Sequence, residues 1–307
     1  MKFSAFFITS LFCFVATTAQ KPVVGFGIIH HIEKFPSRYV DARNIDVWLP
    51  PGYDSTKKYA VLYMNDGQMV FDSSITWNHA AWDVDDVLEK LYIKNEIKSV
   101  IVVAIWNGNT TRHADYFPQK PFESLSKIEQ DNIYTAVRAS GASVFNGYAI
   151  HSDNYLKFVV KELKPFIDKR YSTLAGKKNT FIMGSSMGAL ISIYAICEYP
   201  DVFGGVACLS THWPGIFTMQ NNNFPFAFEN YLMNNLPDAR THKIYFDHGT
   251  ATLDSMYQQL QEKVDTIMIL KGYQSKNWVT KEFPGANHSE RAWHDRLDIP
   301  LLFLLKK

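Results

Sequence analysis

N-T-F-I-M-G-S-S-M-G at 179–188 decides how this chain is read. Residues 180–183 are a short apolar run that predicts a buried strand, and an apolar helix opens at Met187 and continues to about Cys197. Between them Gly184-Ser185-Ser186-Met187-Gly188 makes a G-x-S-x-G turn. A serine held on so sharp a strand-to-helix turn needs small residues two places before and two places after it, because the two backbones approach there. Glycine supplies both. The helix N-terminus behind Ser186 also presents unpaired N–H groups and a partial positive charge, where an anionic intermediate can be held. This is the local design of an elbow that displays a serine nucleophile.

Working outward, strands and helices alternate. Residues 23–33 and 39–49 read as two antiparallel leading strands, the second closed by Pro50-Pro51-Gly52. Two adjacent prolines forbid further pairing there. A-V-L-Y-M-N at 60–65 and S-V-I-V-V-A-I at 99–105 are apolar runs of the kind that parallel sheets bury on both faces. Val84, Val87, Leu88, Leu91 and Tyr92 repeat at helical spacing, as do Tyr155, Phe158, Val159, Leu163, Phe166 and Ile167 ahead of the elbow. Further strands are read at 203–209, 243–247 and 278–283. The segment 106–150 has little periodicity and is too long for an ordinary connection, which marks it as functional. The alternation predicts an α/β fold: a mostly parallel central sheet with helices on both faces, and chemistry at the carboxyl ends of the strands.

The chain begins Met1-Lys2, followed by an apolar run at 3–15 and a small-residue end at Ala16-Thr17-Thr18-Ala19. That is the pattern of a secretory signal over residues 1–19, with one domain over 20–307 and a secreted or periplasmic location. The run is shorter than the ~20 residues that span a bilayer, so no membrane anchor is expected after cleavage. Lys and Arg total 31 against 30 Asp and Glu. This balance leaves no electrostatic footprint for nucleic acid or an anionic membrane. Cys197 and Cys208 read as two buried free thiols. The histidines form neither an H-E-x-x-H pattern nor a Cys/His cluster, so neither a metal nor another cofactor is expected.

Three strand ends carry the residue types that an activated serine requires, in the order serine, acid, histidine. His288, in G-A-N-H-S-E just past the last strand, is the base candidate, because neutral imidazole takes up a serine proton near neutral pH. For the acid, D-H-G-T-A-T-L-D at 247–254 offers Asp254, in a loop that can fold back over the sheet edge, and Asp247, nearer the strand. Asp254 is favoured, with Asp247 as the alternative that holds the turn. Trp77, Trp82, Trp106 and Trp213 flank strand ends and could wall a site against a sugar or phenolic acid.

Y-M-N-D-G-Q-M-V-F-D at 63–72, E-L-K-P-F-I-D at 162–168, the elbow, D-H-G-T-A-T-L-D, and N-H-S-E-R-A-W-H-D-R-L at 287–297 together resemble the putative-esterase family of α/β-hydrolases. That group includes enterochelin-type siderophore esterases, S-formylglutathione hydrolase, and feruloyl and acetyl-xylan esterases. The resemblance implies the α/β-hydrolase fold, with Ser186 as nucleophile, His288 as base and Asp254 as acid. It also implies an oxyanion hole from the backbone N–H groups of Met187 and of Gln68 in the D-G-Q turn. R-H-A-D-Y-F-P at 112–118 resembles a family segment at the mouth of the site, which makes Arg112 and Tyr116 candidate substrate contacts; an Arg112–Asp115 pair that fixes the loop is the alternative. The expected substrate is a small-molecule or polysaccharide ester, first a feruloyl or acetyl ester on a plant polysaccharide, second a siderophore trilactone. An acyltransferase or a catalytically silent binding module is the reading from a different class.

Overall fold

The computed structural model describes residues 20–307; the signal sequence read at 1–19 lies outside the described residues. Eight strands form one sheet: β1 (Ile28–Phe35), β2 (Arg43–Leu49), β3 (Ala60–Asn65), β4 (Val100–Ile105), β5 (Thr180–Ser185), β6 (Gly205–Leu209), β7 (Lys243–Gly249) and β8 (Trp278–Phe283). Their spatial order is β1-β2-β4-β3-β5-β6-β7-β8. The β1–β2 and β2–β4 pairs are antiparallel and every later pair is parallel. Because side chains alternate across a strand, the apolar runs serve both faces at once. Val61 and Tyr63 of β3 enter one core while Ala60, Leu62 and Met64 enter the other. The helices Ser152–Phe158, Met187–Glu198, Phe224–Asn235 and Gln258–Leu270 pack into the first core, and Val84–Ile93 and Asp298–Leu305 into the second. Cys197 and Cys208 are buried and free.

The first strands begin later than the sequence suggests. Residues 23–27 run outside the sheet, held by Asp72, which accepts from Val23 N–H at 2.8 Å, and by Asp85, which accepts from Gly25 N–H at 3.0 Å. The segment 106–150 also holds more structure than its weak periodicity promised: helices at Arg112–Tyr116, Gln119–Glu123 and Lys127–Tyr134. The last is opened by a capping box between Ser126 and Glu129. Its S-x-x-E spacing was present in the sequence as a helix start.

Candidate active site

Ser186 stands where β5 becomes the helix Met187–Glu198, with φ 55° and ψ −122°. A non-glycine residue held at positive φ costs on the order of 1–3 kcal/mol, and such strain persists only where the surroundings over-determine it. Here the close approach of strand and helix does so. A Cβ on Gly184 would lie 2.5 Å from the Gly188 carbonyl oxygen, so a side chain there would push the turn open.

Two loops converge on this serine. His288 follows β8, and its Nε2 lies 2.9 Å from Ser186 Oγ. Asp254 sits in the 3-10 turn Thr252–Met256 after β7, and its Oδ1 lies 2.5 Å from His288 Nδ1. The loops are tied to each other: Thr252 Oγ1 accepts from His288 N–H at 2.9 Å, and the Ala286 carbonyl accepts from Thr250 and Ala251 N–H at 3.1 and 3.0 Å. Of the two acids, Asp254 alone reaches the imidazole. Asp247 is buried, receives Arg296 Nη2 at 2.8 Å and the Tyr245 hydroxyl at 3.0 Å, and holds the sheet end. Burial pushes the Asp254 carboxyl up, but the bonds from His288, the Ser210 hydroxyl and Gly249 N–H outweigh it and hold the group below the ordinary carboxylate range. A carboxylate fixed on one imidazole nitrogen leaves the other free to accept a proton from the serine hydroxyl.

Gln68 lies in the 3-10 turn Gly67–Met69 at the end of β3, and Met187 is the first residue of the helix behind Ser186. Neither N–H donates to an acceptor among the described residues. Gly67 permits this placement, since a Cβ there would fall 2.6 Å from the Ala104 and Ile105 backbone of β4. The Asp66 carboxylate behind the turn accepts Arg112 Nε and Nη2 at 2.6 and 2.7 Å and Asn107 Nδ2 at 2.6 Å. Tyr116 is fully buried, and its hydroxyl accepts from Asp66 N–H at 3.2 Å.

Arg112 and Tyr116 therefore brace the turn that carries Gln68. Tyr116 does not reach the cleft, and Arg112 lines it with its guanidinium bound to Asp66, not to Asp115, which pairs with Arg43 and His151. Arg112→Ala is accordingly expected to lower kcat on the order of 10²-fold on an aryl acetate and on a bulky ester alike, the scale set by misplacing a reacting geometry by about 1 Å. Steady-state kinetics on both substrates check this; a loss confined to the bulky ester would make Arg112 a substrate contact.

The cleft above Ser186 and His288 has a volume of about 690 Å³. Trp77 stands at its rim with 83% of its surface exposed, and Trp82, buried against Trp293, forms part of its wall. Trp213 does not line it: the indole is buried against Phe228 and Phe246 and donates to Gln261 Oε1 at 3.0 Å. An aromatic just past a strand end fills the core when its loop turns inward, and sequence shows only the strand end. Phe217, Glu290 and Trp293 also line the cleft and went unnoticed in the sequence reading. For Glu290 and Trp293 a signal existed, because both belong to the N-H-S-E-R-A-W stretch around His288.

A largely parallel sheet, a strained serine at its centre, and histidine and acid on the loops after β8 and β7 define an α/β-hydrolase. The chain belongs to the putative-esterase family, whose profile matches residues 38–302. It is 25% identical over 173 residues to the uncharacterized protein YbbA of Bacillus subtilis strain 168, a match covering 56% of this chain and 58% of that one. The chain thus spans less than two thirds of that relative's length. Among solved structures, the enterobactin esterase of Shigella flexneri superposes with a TM-score of 0.65 at 16% identity, covering 92% of this chain and 60% of that one. A ferulic acid esterase of Anaeromyces mucronatus, solved with ferulic acid, gives a TM-score of 0.56 at 19% identity over 91% of this chain and 93% of that one. At these identities the likeness is one of fold.

Proposed function

We propose that this chain is a secreted or periplasmic serine esterase that acts through an acyl-enzyme on feruloyl or acetyl esters of carbohydrates. The observation that carries the reaction type is the hydrogen-bonded line from Ser186 through His288 to Asp254, opening into a cleft in a chain of the putative-esterase family. Ser186 Oγ attacks the ester carbonyl and its proton passes to His288 Nε2. The backbone N–H groups of Gln68 and Met187 hold the oxyanion, His288 gives the proton to the leaving alcohol, and a water then cleaves the acyl-enzyme by the same route. The charged start and short apolar run at 1–15 support the location.

Charge in the cleft supports the substrate class. The Arg112 cation is taken up by Asp66, while the Glu290 carboxylate, which accepts from Asn78 Nδ2 at 2.8 Å, also faces the cleft. A strongly anionic ferric catecholate would meet that carboxylate without a free cation among the described lining residues. A neutral sugar ester would not, and the exposed Trp77 ring offers a face on which a sugar or phenolic ring can pack. A panel of an aryl acetate, methyl ferulate, acetylated xylan and a catecholate trilactone tests this. The expected result is turnover of the first three with the trilactone the poorest. A higher kcat/KM on the trilactone would overturn the substrate class, and no hydrolysis of any ester would overturn the esterase reading.

A further inference from the structure

Asp254 is held on its far side by a hydroxyl whose every valence is spoken for. Ser210 follows β6 with φ 45°, an uncommon conformation for a non-glycine residue, and its N–H donates to the Asp247 carbonyl at 2.8 Å. Its Oγ lies 2.5 Å from Asp254 Oδ2, 2.9 Å from Trp293 Nε1 and 2.9 Å from Arg296 Nη2. A serine hydroxyl has one proton to donate and two lone pairs to accept with, whereas indole and guanidinium N–H groups can only donate. The two donors fill the lone pairs, so the single proton points at the carboxylate. The donors are themselves fixed. Arg296 Nη2 also bonds Asp247 Oδ1 at 2.8 Å and its guanidinium lies over the Phe283 ring. Trp293 stands edge-on to His288 with ring centres 5.0 Å apart.

We propose that Ser210 is a positioning residue of the catalytic apparatus: its hydroxyl, oriented by Trp293 and Arg296, locks Asp254 Oδ2 so that Oδ1 stays on His288 Nδ1. The kinetic part rests on the esterase reading given above. With Gly249 N–H at 2.6 Å, Ser210 is one of two groups among the described residues, besides the imidazole, that donate to this carboxylate. Arg296 and Asp247 act one step further out, which connects the sheet end after β6 and β7 to the histidine loop.

Ser210→Ala is expected to lower kcat for an aryl acetate about tenfold to a hundredfold with KM within about twofold, the range for losing a hydrogen bond to a charged group. The downfield proton resonance of His288 Nδ1–H is expected to move upfield or broaden through faster exchange. Trp293→Phe keeps the ring beside His288 but removes the N–H that orients Ser210, so it should shift both readouts the same way by a smaller factor. It carries the test if Ser210→Ala does not fold. Wild-type kcat in Ser210→Ala, or a fall in kcat with the resonance unchanged, would overturn the proposal, the latter assigning Ser210 to general stability. The resonance needs no substrate, so a wild-type protein inert on every ester would sink the esterase reading while the resonance still decides the positioning claim.

Discussion

Ser186→Ala is expected to remove ester hydrolysis almost entirely, with kcat lower on the order of 10⁶-fold, the scale seen when a serine hydrolase loses its nucleophile. The change deletes one oxygen and keeps the Cβ, so the strained turn at φ 55° is still held by Gly184 and by the pairing of β5 with β3 and β6. Thermal melting should stay near the wild-type value. Substrate should still bind, because the cleft wall and the Gln68 and Met187 N–H groups are untouched. A variant that retains more than about a tenth of wild-type turnover would take Ser186 out of the reaction. A variant that loses activity together with its fold would leave the loss without mechanistic meaning, so melting is measured on the same preparation.

For Asp254→Asn the expected loss in kcat is about 10⁴-fold, the figure measured for the equivalent change in serine proteases. The geometry gives the reason. Three donors converge on this carboxylate: His288 Nδ1 at 2.5 Å, Ser210 Oγ at 2.5 Å and Gly249 N–H at 2.6 Å. An amide has one accepting oxygen, and its NH₂ must oppose one of these donors or turn the imidazole to the wrong tautomer. Asp247→Asn should act chiefly on stability, costing about 3 kcal/mol because it leaves the Arg296 guanidinium buried without its carboxylate.

The Asp254 carboxyl is held below its ordinary range. Its contribution to stability is therefore present above the unfolded value of about 3.9 and is lost as pH falls through the lower folded value. It stays ionised throughout the neutral range, so kcat/KM is not expected to fall there through protonation of Asp254. Profiles and melts of both variants separate these roles. Near-wild-type kcat in Asp254→Asn, or the larger kinetic loss in Asp247→Asn, would reassign the acid.

The elbow was legible because its chemistry demands small residues at fixed spacing around Ser186, and β3, β4 and β8 were legible because their runs are bounded by turns. The order serine, acid, histidine pointed to His288 from one strand end, and two acids remained because Asp247, in β7, and Asp254, in the turn that follows it, stand close together in the sequence. Only folding distinguishes them, since Thr252 and Ala286 bring Asp254 across to the histidine loop while Arg296 keeps Asp247 at the sheet end. Arg112 shows the converse limit. The resemblance of its segment put it at the mouth of the site as a substrate contact; it does line the cleft, but the structure gives its guanidinium to Asp66, a partner 46 residues away. Ser210 was silent for the same reason: a lone serine past a strand acquires its meaning from three partners distant in sequence.

The central claim, that Ser186 is a nucleophile activated by His288, is tested most directly by covalent trapping. The protein is treated with an aryl dialkyl phosphate, which phosphorylates an activated serine, and the labelled peptide is read by mass spectrometry. A single label on Ser186 is expected, with loss of ester hydrolysis in step with labelling, no label in Ser186→Ala and greatly slowed labelling in His288→Ala. A label on another residue that tracks the loss of activity, or full loss of activity with Ser186 unmodified, would contradict it.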